Sequence, residues 1–327
     1  MPRSLTDPWQ LGGITLPNRV VLAPLAGIGN WFVRLQAQRH GAGLAVSEMV
    51  SSFAIHHGNR KTHEELLRIH PDEAVVSIQL FGQDPDVMRS AAAQVAERGA
   101  DLIDLNMGCP VPKVTKTGAG AALLSDPDTA VAVARAAHEG SGLPVTVKLR
   151  ASRRPGHTEG LEVASRLVHE AGVAGIAFHP RSAAVRHAGT PDYELAARLV
   201  EELPVPVIVS GGMQGAEHVR AVFESTGCAA VMLARGALGN PWLFEQVLGA
   251  REGEPDREEI LAEWQWICDR AEEHLGTDRA GRYLRKFHPW YAERLGAGKA
   301  LTAALLQAPD LDAQRAVIAA LTSLQTA

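Results

Sequence analysis

Residues 102–149, LIDLNMGCPVPKVTKTGAGAALLSDPDTAVAVARAAHEGSGLPVTVKL, contain one full period of the pattern on which the chain is built. A short apolar run, Leu102–Asn106, ends on a polar residue and enters a loop rich in Gly and Pro. Asp126 before Pro127 then supplies a helix start, because a short acceptor side chain satisfies free N–H groups and Pro suits the first turn. The Ala-rich stretch Pro127–Glu139 reads as a helix, and Val145–Leu149 (VTVKL) opens the next apolar run. Runs this short and continuously apolar are expected of parallel strands covered on both faces.

The same unit recurs on either side. Further strands are expected at Arg19–Ala23, Leu44–Met49, Val75–Leu80, Gly175–His179, Pro206–Ser210 and Ala230–Ala234. Helices are expected at Asp84–Arg98, Thr158–Ala171, Tyr193–Glu202 and Ala216–Ser225. Successive strands are spaced by roughly 25 to 40 residues, which is one βα unit with its loops. Eight units predict an α/β fold of the (β/α)8 TIM-barrel type, with a doubly wound open sheet as the rival. Polar residues gather at seven strand ends: Ser47 with Glu48, Gln79, Asn106, Lys148, His179, Ser210 and Arg235. A barrel would bring all of them to one rim, where active sites of this fold are built.

After Asn240-Pro241 the strand rhythm stops. Gly249–Glu258 reads as a charged linker punctuated by Gly and Pro, and the remainder is helical in pattern. The helical segments expected are EEILAEWQWICDRAEEHL, then RAGRYLRKFHPWYAERL, then two shorter Ala/Leu-rich helices. A barrel domain over 1–245 and a small helical domain over 246–327 follow.

The 327 residues suit such a barrel with an appendage, and 46% apolar residues exclude a mainly disordered chain. Lys+Arg number 32 against 37 Asp+Glu, a net charge of −5, which argues against a generally sticky nucleic-acid binder. No signal peptide or membrane-length apolar run is evident, so a cytoplasmic protein without a membrane partner is expected. Cys109, Cys228 and Cys268 have neither CxxC nor metal-ligand spacing, so neither a disulfide framework nor a metal is expected.

Most lone cysteines are small buried hydrophobes, and Cys228 and Cys268 fit that description. Cys109 lies on a Gly-Cys-Pro loop with Lys113 and Lys116 nearby, which is no packing environment. A thiol in water titrates near ~8.5 and is mostly protonated at neutral pH, so it can give a proton to carbon or act as a nucleophile. Ser210-Gly211-Gly212 and Ala234-Arg235-Gly236 end the last two strands, where barrels commonly bind phosphate on backbone N–H groups. Two ordinary βα turns would look similar. Lys148 at the rim must meet an anion or lose its charge, and a reduced flavin ring is such an anion. Gln79 could serve the pyrimidine edge of that ring with a donor and an acceptor. His179 joins this set, with a satisfied interior histidine as the alternative.

These residues carry a resemblance. APLAGIGNWFVR, SEMVSS, SIQLFGQDP, DLNMGCPVPKVTKTGAGAALL, VTVKLR, HPRS and GCAAVMLARGALGNPW run in the order of the tRNA-dihydrouridine synthases, across roughly residues 10 to 245. A weaker echo is RKFHPWY at Arg285–Tyr291. That family reduces particular tRNA uridines to 5,6-dihydrouridine with FMN and NADPH. The resemblance implies Cys109 as the acid that protonates C5 after hydride reaches C6. It implies Pro24, Leu25 and Ala26 beside the flavin, Gln79, Lys148 and His179 around its ring and ribityl chain, and Ser210, Gly211, Gly212, Ala234 and Arg235 at its phosphate. Asn106 would lie against flavin and uracil. Lys113, Lys116, Arg150, Arg181, Arg285 and Lys286 become candidates for substrate or tRNA contacts, within a basic rim that adds Arg153, Arg154 and Arg186. Arg279, Arg282 and Trp290 extend a basic, aromatic face in the helical domain. A monomer acting on tRNA is expected.

The chain departs from the family where Ser210-Gly211-Gly212 replaces Asn-Gly-Asp, Ala234 replaces a Gly, and Ile28-Gly29-Asn30 replaces Thr-Asp. The aromatic expected near His187 is missing. Two other readings are a flavin barrel acting on a small enone or free pyrimidine, and a non-catalytic regulator that binds tRNA or protein.

Overall fold

The computed structural model describes residues 3–323. The chain divides into two compact units, Met1–Arg235 and Gly236–Ala327. In the first, eight parallel strands close on themselves: β1 (Val20–Leu22), β2 (Leu44–Val46), β3 (Val76–Phe81), β4 (Leu102–Met107), β5 (Val145–Ser152), β6 (Gly175–Ser182), β7 (Val207–Ser210) and β8 (Ala230–Leu233). Each pairs with its successor, and β8 returns to β1 in the register Val231↔Val20 through Leu233↔Leu22. This closure makes the sheet a TIM barrel rather than an open sheet.

The strands form as their composition requires, because nearly every side chain is buried on one face or the other. In β4 only Asn106 and in β5 only Lys148 escape full burial, and the two are register partners. Asp84 and Asp126 do cap helices: the Asp84 side chain accepts from the N–H of Asp86 and Val87, and Asp126 accepts from Thr129. β5 and β6 run on past the expected ends to Ser152 and Ser182, with a register irregularity between Arg150 and Ser152. Their extensions contain Arg150 and Arg181, and buried arginines hide a strand from a reading based on hydropathy.

An N-terminal hairpin, Trp9–Leu11 paired antiparallel with Ile14–Leu16, was not expected. Its Trp9, Leu11 and Leu16 join a core with Val21, Leu44, Leu102, Ala177, Ile208 and Ala230. Most of these lie where the strands begin, so the hairpin plugs that mouth and leaves the strand ends as the open rim. Gly175 is needed for the fit, because a Cβ there would lie 2.8 Å from Leu11 Cδ1 and 3.2 Å from the Pro206 carbonyl oxygen.

The second unit is helical throughout: Trp242–Leu248, Arg257–Leu275, Thr277–Leu284, His288–Arg294, Lys299–Gln307 and Leu311–Ser323. Asp256 and Glu259 form a capping box at the start of the longest helix. The segment RAGRYLRKFHPWYAERL is broken into two helices, with Pro289 in the first turn of the second. Proline has no N–H to continue the ladder of the preceding helix. Trp264 stacks on Tyr291 at 5.6 Å and donates from Nε1 to His288 Nδ1 at 3.0 Å. Among the described residues no helix is long and apolar enough to cross a membrane.

Gly175→Val should lower thermal stability, with an overpacking cost of about 1–3 kcal/mol. A melting curve followed by circular dichroism checks it, and an unchanged melting temperature would refute the plug.

Candidate active site at the open rim

The site is assembled from the last residues of the strands and the loops that follow. Its inner layer is polar. Thr146 Oγ1 donates to Asp104 Oδ1 at 2.7 Å, and Gln79 Nε2 donates to Asp104 Oδ2 at 2.6 Å. Asn106 Nδ2 donates to Gln79 Oε1 at 2.9 Å, while Asn106 Oδ1 accepts from the backbone N–H of Cys109 at 2.9 Å and of Gly108 at 3.3 Å. Burial pushes the Asp104 carboxyl up to about 6, against the hydrogen bonds from Thr146 and Gln79 and the charge of Lys148.

Cys109 follows β4 with its thiol half-exposed, whereas Cys228 and Cys268 are buried. The backbone of its loop is held on every side. The Cys109 carbonyl accepts from Ala121 N at 3.0 Å, and the Gly108 carbonyl accepts from Arg150 Nε at 3.0 Å. Gly120 passes so near that a Cβ would lie 2.8 Å from the Cys109 oxygen.

Three cations surround this loop. Lys148 lies 3.5 Å from Ser210 Oγ, and burial, then the charge of Arg150, bring its amine down to about 8. Burial and Arg181 likewise lower Arg150 to about 10. Arg150 Nη1 donates to the carbonyls of Ser182 at 3.2 Å and Arg186 at 2.7 Å. Arg186 has φ 53°, alone in the left-handed region among the described non-glycine residues, and this clamp holds it there. Arg150 is therefore turned inward as a brace, not outward toward an RNA phosphate. His179 is kept neutral by burial and by Lys148, Arg150 and Arg181, its pKa falling far below the ordinary value. Arg181 Nη1 lies 3.3 Å from His179 Nε2, and since a guanidinium only donates, that nitrogen is the acceptor and the ring proton sits on Nδ1.

Gly211 and Gly212 have φ of 101° and 76°. A Cβ on Gly211 would lie 2.5 Å from His179 Nε2, and one on Gly212 would lie 2.7 Å from Tyr193 Oη. Tyr193 donates to the Gly211 carbonyl at 2.7 Å, and its oxygen lies 3.2 Å from His218 Nε2. The Tyr193 hydroxyl stands where a side chain at 212 would begin. Asn30 has become the N-cap of the helix Trp31–Arg39.

The other expected residues fall as follows. Pro24 and Leu25 are half-buried and Ala26 exposed on the turn after β1, where Gly27 N–H donates to Glu48 Oε2 at 2.7 Å. Ala234 is half-buried, and Arg235 is exposed in a short 3-10 turn. Lys113 and Lys116 are exposed on the loop after Cys109. In the helical unit, Arg285 is half-buried and donates to the Ala308 carbonyl at 3.1 Å. Trp290 is half-buried, while Arg279, Arg282 and Lys286 are exposed, with Lys286 Nζ 4.6 Å from the Tyr283 ring centre. Asp104, Thr146 and Tyr193 escaped the sequence reading. Asp104 sits two positions before Asn106 on the same strand face, and that alternation was the available signal.

The chain matches the family model "Dihydrouridine synthase (Dus)" over residues 21–325. It belongs to the dihydrouridine synthase family. It is 38% identical over 320 residues to a probable tRNA-dihydrouridine synthase of Mycobacterium tuberculosis, covering 93% of this chain and 82% of that protein. It is 35% identical over 319 residues to tRNA-dihydrouridine synthase B of Pseudomonas aeruginosa, covering 94% of each. Among solved structures, morphinone reductase superposes with TM-score 0.57 at 19% identity, over 80% of this chain and 93% of that one. That likeness concerns the barrel fold. Family membership makes the protein an oxidoreductase.

The rim residues fit a flavin mononucleotide. Two glycines in positive φ give the turn after β7 a backbone without side chains, and the next helix, Ala216–Thr226, has no side-chain cap. Arg181 Nε and Ser182 Oγ are buried there without a partner. Lys148 below its usual pKa is the group an anionic ring would recharge. The reduced ring is the anionic form and binds best while Lys148 is charged, so the preference for reduced over oxidised FMN should weaken as pH rises above about 8, by at most about tenfold per pH unit. The midpoint potential of the bound flavin, compared between the parent protein and Lys148→Met from pH 7 to 9.5, checks this; a difference that stays constant across that range would remove Lys148 from the flavin site.

Proposed function

We propose that this chain reduces a uridine of tRNA to 5,6-dihydrouridine at the open rim, with FMN as cofactor, NADPH as reductant and Cys109 as the acid. When bound, FMN supplies the hydride that adds to C6 of the uracil ring, and NADPH restores it.

The protein's own part is to hold and protonate. Cys109 gives its thiol proton to C5 as the electron pair from the reduced C5–C6 bond develops there, and the thiolate is reprotonated from solvent. One hydride and one proton balance the reduction. The observation that carries this reading is the half-exposed thiol on a loop whose backbone is tied down at four carbonyl or N–H groups. A thiol meant only for packing would be buried, as Cys228 and Cys268 are. Arg150, which donates to the Gly108 carbonyl at 3.0 Å, keeps a positive charge beside the loop that carries the thiol.

The base must leave the RNA stack to reach this loop, with an unstacking cost of a few kcal/mol. Exposed Lys113, Lys116, Arg153, Arg154 and Arg186 on the rim suit phosphates flanking such a base. Arg279, Arg282 and Lys286 give the helical part a basic face of its own, and we take residues 246–327 as the part that recognises tRNA.

Cys109→Ala should keep FMN bound and slow single-turnover uridine reduction by about 10²–10⁴-fold, the usual worth of general acid catalysis. Rates unchanged from the parent protein would overturn the assignment.

A further inference from the structure

The four-residue chain Thr146–Asp104–Gln79–Asn106 has a property that its individual contacts conceal: its direction is set at both ends. At the outer end, the N–H groups of Gly108 and Cys109 can only donate, so Asn106 must present Oδ1 to them. Its Nδ2 then faces Gln79, which must answer with Oε1, and Gln79 Nε2 is left facing Asp104. At the inner end the Asp104 side chain meets that donor as an acceptor. Every donor has an acceptor, and neither amide can turn over without breaking the run. Asp104 and Gln79 are 1% and 0% exposed, so water offers no substitute partner.

We propose that Asp104 is the positioning residue for Cys109: by fixing the orientation of the Gln79 and Asn106 amides, it holds the Cys109 loop in its reactive place from within the barrel. Asp104 makes no hydrogen bond to the Cys109 loop, and acts through two intervening side chains. The inference rests on the proposed role of Cys109, but it concerns the loop itself and can be measured without turnover.

Three variants separate hydrogen-bond direction from charge and volume. In Gln79→Glu, two carboxyl groups meet at the 2.6 Å contact; while they share a proton the run holds, and it breaks once both are ionised, so alkylation of all variants is compared at pH 9 and above. In the double variant Gln79→Glu with Asp104→Asn, the amide at 104 donates to the new carboxylate, which also accepts from Asn106, so the run re-forms. In Asp104→Asn alone, the amide oxygen can face Gln79 while its nitrogen meets Thr146, whose hydroxyl can turn to accept. That variant keeps the direction and loses the charge.

The readout is alkylation by iodoacetamide of the full-length protein, followed by mass spectrometry. Cys109 is the half-exposed thiol, and modification of buried Cys228 or Cys268 reports unfolding. Gln79→Glu should speed alkylation of Cys109 about tenfold, roughly 1.4 kcal/mol or the worth of one hydrogen bond. The double variant and Asp104→Asn should both return to within about threefold of the parent, which is under one such bond. If Asp104→Asn is as fast as Gln79→Glu, charge rather than direction matters and the proposal falls. If the double variant shows no rescue, it also falls, and should Gln79→Glu fail to fold, rescue is read as recovery of the folded state in the double variant, whose absence likewise overturns the proposal. The assignment of Cys109 as acid is untouched by either result, since it stands on Cys109→Ala.

Discussion

The parallel pairing of β8 with β1, Val231 against Val20 and on to Leu233 against Leu22, turns a row of eight strands into a closed ring, and the site depends on that closure. In an open sheet, residues at the ends of β3 and β7 would lie many strand spacings apart. Closure sets all strand ends around one rim, so Asn106, Lys148, His179 and Ser210, drawn from four strands, gather there, with Gln79 of β3 fully buried beneath them. The opposite mouth is filled by Trp9, Leu11 and Leu16 of the hairpin, which leaves one end of the barrel for chemistry.

Within the rim, burial and charge work against each other. Lys148, Arg150 and Arg181 are crowded together and partly withdrawn from water, so each is held below its usual pKa, and His179 among them stays neutral. One buried carboxylate, Asp104, faces this group from below. Such an arrangement is short of negative charge and suits an anionic guest. The overall charge of −5 conceals it, because net charge sums over the whole surface while a ligand meets a local field.

The backbone is as closely specified as the charges. Gly211 passes against the His179 ring, Gly212 against Tyr193, and Gly120 against the Cys109 carbonyl, each at a distance no Cβ allows. Arg150 draws together the loops after β4, β5 and β6 through carbonyls of Gly108, Ser182 and Arg186. The loop that carries Cys109 is thus part of the scaffold.

Much of this was legible in the sequence. Eight apolar runs with polar ends and capped helices between them specify the barrel, because strand and helix periodicity and caps are local properties. The motif around Cys109 and the paired glycines after β7 stood out for the same reason: each is a short, contiguous arrangement. Other features were not legible. Arg150 and Arg181 read as surface cations, yet the extension of β5 and β6 buries them. Tyr193 carries no local sign of its contact with Gly211, and Pro289 splits a segment whose pattern suggested one helix. The direction of hydrogen bonding from Asp104 to Cys109 joins β3, β4 and β5, and no single strand contains it. Sequence alone determined the elements and the residue types offered to the rim. Only the tertiary structure decided which of them meet, because burial, charge proximity and donor–acceptor direction are relations between strands that closure brings together.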